Sequence, residues 1–209
     1  MAVHFTNQEF KNRKEKVLKN MSEANIDALL MFKQESMYWL TGYDTFGYVF
    51  FQCLVLDKSG NIILLTRAPD LRQAQNTSII KDIRIWIDKA GANPNDDLKR
   101  ILNELRLEGK KIGIEYDTYG LTGKNAMLLN KSLNGFYKIE DKSELISKLR
   151  VIKSVKEISY VRKAAELLIK LWKKFGKIQE QELVKEKFWL KCKKLYLKTV
   201  VIIQQTNLL

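Results

Sequence analysis

Helix-like and strand-like hydrophobic periods take turns along this chain. Phe10, Val17, Leu18 and Met21 fall on one side of a basic segment, which predicts a helix over Asn7–Glu23. Thr6-Asn7-Gln8-Glu9 has the spacing of a capping box, and Phe5 stands where a hydrophobic staple begins. The apolar run Ile26–Phe32 reads as a buried strand, and Met37-Tyr38-Trp39-Leu40 leads to a turn at Gly42. Tyr48–Leu56, the turn Asp57-Lys58-Ser59-Gly60 and Ile62–Thr66 read as a hairpin. A short helix over Leu71–Asn76 follows. Ile83–Ile87 alternates like a strand, with Arg84, Trp86 and Asp88 expected on its solvent side. Beyond a Gly91–Asn95 loop come a helix over Asp96–Leu107, a strand over Ile112–Tyr116 and a helix over Thr122–Leu133. A short strand at Tyr137–Ile139 and a helix over Ser143–Leu149 complete the set. Strands alternating with helices, plus one hairpin, predict a three-layer α/β domain with a mixed sheet over residues 1–150.

The pattern changes after residue 150. Ser154-Val155-Lys156-Glu157 is a second capping box and opens a helix through Ile158, Val161 and Ala165. Residues 151–167 therefore read as the entry to another domain, a carboxyl-terminal helical remnant. From Leu168 lysines interrupt the apolar residues, and Thr199–Leu209 is strand-like without a neighbour in sequence to pair with. That tail is expected to pack only opportunistically.

Composition refines this reading in two places. The net charge is +13, but ten Lys and three Glu from Leu168 onward supply +7 of it. Concentration in the last fifth of the chain weakens a nucleic-acid reading. The mixture Lys170-Leu171-Trp172-Lys173-Lys174-Phe175 invites a membrane-surface or nucleic-acid helix, but its apolar residues are not expected to keep to one face. No apolar run is long enough to span a membrane, and the start has no signal-peptide core. Two cysteines, Cys53 and Cys192, make no disulfide framework and point to a reducing cytoplasm. Cys53 is expected to be a core thiol.

Three stretches resemble the amino-terminal domain of the creatinase, prolidase and aminopeptidase P family. They are Gln34–Tyr43, Ile112–Asp117, and Leu149–Ser154 continued by Glu157-Ile158 and Arg162–Ala165. The last is the most specific, because it resembles the junction into the family's "pita-bread" catalytic domain. The resemblance covers residues 5–167. It implies a cytoplasmic, dimeric parent that hydrolyses Xaa-Pro peptides or a small amide such as ectoine or creatine. It also implies two divalent ions (Mn, Co or Zn), held by the catalytic half. Re-read one base out of frame from Leu168, the chain permits a string containing GGDYPANEF, similar to the first helices of such a half. Residues 168–209 are therefore expected to be an out-of-frame tail.

No catalytic residue and no metal ligand is assigned in this chain. His4 has no ligand-spaced partner and reads as a surface residue. Asp96-Asp97 sits at a helix start, where the dipole accounts for it. Through the resemblance, one turn is a candidate for substrate binding: Tyr43, Asp44, Phe46 and Tyr48 offer hydrogen bonds and an apolar wall. Relatives that take creatine place an Arg near this point, and here only Arg67 or Arg72 could serve. A hairpin shoulder with aromatic packing is the plainer reading. The domain is thus expected to shape a substrate cleft and make dimer contacts. The alternative is a stand-alone peptide- or protein-binding module.

Overall fold

The computed structural model describes residues 4–179 together with Leu190, Lys193 and Lys194. It divides into two units, Met1–Val151 and Ile152–Leu209. In the first unit, helix α1 (Asn7–Glu23) starts as its sequence dictates. The Thr6 hydroxyl accepts from the Glu9 amide at 3.2 Å, and the rings of Phe5 and Phe10 meet edge to face at 6.1 Å. Its buried stripe is Phe10, Arg13, Val17 and Met21, at steps of three and four. Arg13 is the unexpected member. Its guanidinium donates to the Trp39 carbonyl at 2.7 Å and lies 4.0 Å from the Phe5 ring centroid and 5.2 Å from that of Trp39. The charge is further met by Glu9 at 3.3 Å.

Six strands form one mixed sheet in the order β4-β3-β2-β1-β5-β6. They are β1 (Ala28–Met31), β2 (Cys53–Asp57), β3 (Ile62–Arg67), β4 (Asp82–Trp86), β5 (Lys111–Ile114) and β6 (Lys138–Asp141). The β1–β2 and β2–β3 pairs are antiparallel, whereas β3–β4, β1–β5 and β5–β6 are parallel. β1 and β2 are buried along their whole length, as central strands covered on both faces must be. Alternation splits their side chains between two cores. Ala28, Leu30, Cys53 and Val55 pack with Leu98, Ile101 and Leu102 of α4 (Pro94–Glu104) and Leu129 and Leu133 of α5 (Gly123–Leu133). Leu29, Met31, Leu54 and Leu56 pack with α1, with Met37 and Leu40 of α2 (Gln34–Thr41), Ala74 of α3 (Ala68–Thr77) and Ile146 of α6 (Glu144–Val151). This is the expected three-layer α/β domain.

α2 has no side-chain cap of its own. Glu115, one residue past the end of β5, supplies one from across the sheet. Its carboxylate accepts from the Lys33 amide at 3.1 Å and from the Ser36 hydroxyl at 2.6 Å, while its own amide donates to the Leu30 carbonyl at 3.0 Å. The residue is fully buried. Burial pushes its carboxyl up to about 7, and the hydrogen bonds from Ser36 and Lys33 offset only part of that rise.

Several expected boundaries move, each for a local reason. The strand expected over Tyr48–Leu56 shortens to β2, because Gly47–Val49 is a 3₁₀ turn in which the Thr45 hydroxyl accepts from the Gly47 amide at 2.8 Å. Tyr116 leaves β5 because its amide, and that of Asp117, donate to the Ser143 hydroxyl. Gly42 ends α2 in the left-handed region at φ 81°, so the segment before it is a helix. Trp86 is a correction: it faces the core, where its indole donates to the Phe51 carbonyl at 3.0 Å, and Ile87 is the exposed neighbour.

In the second unit, α7 (Val155–Gln179) opens with a reciprocal capping box. The Ser154 amide donates to the Glu157 carboxylate at 2.7 Å, and the Glu157 amide donates to the Ser154 hydroxyl at 3.2 Å. Leu168 does not interrupt it. The helix runs on through the point where the sequence suggested a break, but its apolar residues do not keep to one face: Val155, Ile158, Val161, Leu168, Ile169 and Trp172 are exposed, whereas Leu167, Leu171 and Phe175 are half-buried. The expected strand-like end, Thr199–Leu209, lies outside the described residues. Among the described residues no helix is long and apolar enough to cross a membrane.

Two outcomes are expected from this architecture. The unfolded-state value of Glu115 is the ordinary one and its folded value is raised, so the native state holds the extra proton. Its stabilising contribution is complete below the ordinary glutamate range and is lost as pH rises through about 7. At about 1.4 kcal/mol per unit, the effect reaches roughly 3 kcal/mol at most. His4, lowered mainly by burial, works in the opposite direction near its own ordinary value. Denaturant melts from pH 5 to 8 should therefore show a falling stability in the native chain that flattens or reverses in Glu115→Gln; equal slopes would refute the assignment. Second, a chain ending at Leu167 should keep the melting temperature of the α/β unit within about 2 °C, as expected when no multi-side-chain core is lost. A loss of several degrees would place the removed residues in that core.

Candidate functional site

β1 and β5 are adjacent and parallel, yet their chains leave in opposite directions. β1 continues through α2 toward β2, and β5 continues through α5 toward β6. α2 and α5 lie on opposite faces of the sheet. Their carboxyl ends therefore splay apart at a topological switch point, the place where open α/β sheets form crevices. A cleft of about 820 Å³ occupies that position. Lys33, Gln34 and Glu35 form the side that follows β1, and Tyr116 to Gly120 the side that follows β5. Ser147 and Arg150 of α6, with Tyr48, complete the rim.

The β5 side is held in place by backbone contacts. The Ser143 hydroxyl accepts from the Tyr116 amide at 2.9 Å and the Asp117 amide at 3.0 Å, and the Gly120 amide donates to the Thr118 hydroxyl at 3.2 Å. A Cβ on Gly120 would stand 2.2 Å from the Phe32 carbonyl oxygen, so only glycine permits this approach to the end of β1. The Tyr116 hydroxyl donates to Asn130, which fixes that ring, whereas Tyr119 is 95% exposed. Glu115 lies between the two sides and anchors the first turn of α2.

The four residues singled out in the sequence do not share one surface. Tyr43 is fully buried in the α1-side core, beside Thr45, Thr66 and Gln52, and burial raises its phenol. It cannot meet a ligand without unfolding part of that core. Asp44 is exposed, with its amide donating to the Thr77 hydroxyl at 3.2 Å. Phe46 is 86% exposed and Tyr48 is 40% exposed. Val49 and Phe50 extend this apolar surface.

The loop that carries Phe46 and Tyr48 is braced from below. Gln34 Nε2 donates to the Thr45 carbonyl at 2.6 Å. A Cβ on Gly47 would stand 2.2 Å from Gln52 Nε2 and 2.4 Å from Asp70 Oδ1. The fold does bring Arg67 to the loop, where its guanidinium lies 3.3 Å from the Phe50 ring centroid. That charge is shared with Asp70 at 3.4 Å and Asp88 at 3.6 Å. Arg72 is exposed on α3.

Other candidates resolve simply. Cys53 is buried, and burial first, then the nearby Glu115 charge, pushes its thiol well up, away from nucleophilic use. His4 is half-buried, with Nδ1 2.8 Å from the Tyr38 hydroxyl. Among the described residues no three His, Cys, Asp or Glu side chains converge as a metal ligand set.

The profile of the Creatinase/Prolidase N-terminal domain matches residues 13–152. The ectoine hydrolase of Halomonas elongata is 27% identical over 90% of this chain, which spans 48% of that protein. Coverage of 90% leaves about a tenth of the chain outside, so the likeness extends past Leu168. The fold matches the prolidase of Thermococcus sibiricus with TM-score 0.67 at 23% identity, over 80% of this chain and 44% of that one. It also matches the N-terminal domain of the cytoplasmic peptidase PepQ of Mycobacterium tuberculosis, with TM-score 0.53 at 18% identity, over 66% of this chain and 98% of that one. A six-stranded mixed sheet between helical layers and a profile match over most of the α/β unit agree, and the chain belongs to the Creatinase/Prolidase N-terminal domain family.

Proposed function

We propose that this chain is the non-catalytic amino-terminal part of an Xaa-Pro peptidase-like or small-amide metallohydrolase. In that role it shapes the substrate cleft and makes subunit contacts in a cytoplasmic homodimer. The observation that carries the reading is the braced loop with Phe46, Tyr48, Val49 and Phe50 exposed in succession. Apolar side chains gathered at the surface of one loop are suited to contact with a substrate or a partner. Rigid bracing by Gln34, Gly47 and Arg67 makes the loop suited to forming a wall. The exposed apolar residues of α7, with Trp172 77% exposed, support a further packing partner. The chain spans about half of its ectoine hydrolase relative, and on this reading the metal chemistry belongs to the part of the parent outside it. There, two divalent ions (Mn, Co or Zn) would activate water and polarise the scissile carbonyl. The second reading is a stand-alone peptide- or protein-binding module, whose surface would be the same exposed loop.

Activity assays divide these readings. The chain alone, supplied with manganese, cobalt or zinc, should hydrolyse neither Xaa-Pro dipeptides nor ectoine or creatine; metal-dependent turnover by purified protein would refute the proposal. Fused to the catalytic half of the Halomonas elongata relative, it should restore turnover. Phe46→Ser with Tyr48→Ala should then raise KM about tenfold with kcat nearly unchanged, the signature of lost uniform binding. An unchanged KM in a folded, active fusion would remove the loop from substrate recognition.

A further inference from the structure

The reactivity of an asparagine depends on the residue after it. The next backbone nitrogen can close a five-membered ring on the side-chain amide carbon, and glycine, with no Cβ, leaves that nitrogen least shielded and its backbone freest to turn. Asn134-Gly135 is the one such pair in the chain. It lies in the turn between α5 and β6, and both residues are exposed. The turn is pinned on each side. The Asn134 amide donates to the Asn130 carbonyl at 2.8 Å, the Phe136 amide to the Leu133 carbonyl at 3.1 Å, and the Gly109 amide to the Phe136 carbonyl at 2.8 Å. The Gly135 amide, between them, has no partner among the described residues. Gly135 has φ 81°, and no atom beyond its chain neighbours lies within 4 Å of the point where a Cβ would stand. Other asparagines lack one of these conditions. Asn25 also has a positive φ, but the Ile26 amide is bound to the Met21 carbonyl and shielded by a β-branched side chain. The Asn61 carboxamide is held by Asp57, and Asn93 is followed by Pro94, which has no amide proton.

We propose that Asn134-Gly135 is a site of spontaneous modification, at which the chain converts an asparagine into an aspartyl or isoaspartyl residue and loosens the last turn of α5. The Gly135 nitrogen gives its proton to hydroxide and forms a bond to Asn134 Cγ. The bond from Cγ to Nδ2 breaks, and ammonia leaves with a proton taken from water, which regenerates the hydroxide. Water then opens the succinimide. Addition at Cγ restores the original backbone with a carboxylate side chain, and addition at the backbone carbonyl leaves the chain running through Cγ. Nothing is oxidised or reduced, and water is the only reactant consumed. The position of the turn gives the change a consequence. A carboxylate at the C-cap of α5 meets the negative end of the helix dipole, and Lys131 in the last turn offsets only part of that. The isoaspartyl form also adds a methylene between Leu133 and Phe136, which their hydrogen bond spans. Asn130, in the same turn, accepts from the Tyr116 hydroxyl at the rim of the cleft, so the loosening reaches that ring.

The test ages the full chain in mildly acidic and mildly alkaline buffer and follows it by peptide mapping with mass spectrometry. The peptide containing Asn134 should gain the mass of an amide-to-acid exchange, split into two chromatographic forms and convert faster in the alkaline buffer. Peptides containing Asn25, Asn61 and Asn76 should lag behind it. An isoaspartyl carboxyl methyltransferase supplied with a labelled methyl donor should label the aged chain and not the fresh one. Asn134→Gln, which would need a six-membered ring, should abolish both the labelling and the acidic shift. The structural consequence is read separately from Asn134→Asp, which mimics the unrearranged product. Hydrogen exchange in the last turn of α5 should quicken about threefold, the scale of one unfavourable charge at a helix end. The Tyr116 ring signal should shift with it, while β1 and β2 stay unchanged. No conversion in the aged chain, equal conversion at the other asparagines, or labelling that persists in Asn134→Gln would overturn the assignment of the site. Unchanged exchange and an unmoved Tyr116 signal in Asn134→Asp would overturn its link to the cleft.

Discussion

A carboxylate buried at the end of β5 ties together the parts of this domain that its topology would otherwise leave apart. Glu115 holds the first turn of α2 through Lys33 and Ser36, and its amide extends the β1–β5 pairing to Leu30. α2 begins with no capping side chain of its own, so without Glu115 the Lys33 amide and the buried Ser36 hydroxyl would lose their acceptor. A buried carboxyl is costly when charged and tolerable when protonated or well bonded. Its raised value near neutrality shows how close this balance lies. The cleft, the entry into α2 and the brace from Gln34 to the aromatic loop all start within a few residues of that contact.

The order of the strands does the rest. Because β1 and β5 are parallel neighbours whose helices leave to opposite faces, the crevice at their ends follows from the wiring and needs no special insertion. Local devices then set its walls. Ser143 gathers two amides from the β5 side, and Gly120 allows that side to touch the Phe32 carbonyl. The aromatic loop is separately fastened by Arg67 on Phe50 and by Gly47 against Asp70. These supports hold the loop while Phe46, Val49 and Phe50 stay exposed on it.

The layers and nearly all of the elements were legible because period and capping agree in this sequence. The Thr6 and Ser154 caps and the Phe5–Phe10 staple formed as their spacing implied. Much of the site was not legible. Glu115 reads as one more polar residue after a strand, and only the long-range pairing of β1 with β5 gives its carboxylate a helix to cap. Tyr43 looked like a binding residue because tyrosine, aspartate and phenylalanine cluster there, yet the chain turns it inward and leaves Phe46 outside. Trp86 followed strict alternation on paper, but it lies at the end of edge strand β4 beside Phe51, where burial and a carbonyl partner outweigh the pattern. Around Leu168 the helix continues although its apolar residues hold to no single face, which is why the pattern there gave no clear period.

Native-state hydrogen exchange at single amides tests the central role of Glu115 most directly. The Lys33 amide is bound to the Glu115 carboxylate, and the Tyr116 and Asp117 amides to Ser143, so all three should exchange as slowly as the core of β1. In Glu115→Ala the Lys33 amide and the first turn of α2 should lose protection about a hundredfold or more, as removal of a buried charge-assisted bond implies, while β2 and β3 stay protected. Fast exchange at Lys33 in the native protein, or unchanged protection in the variant, would contradict the account.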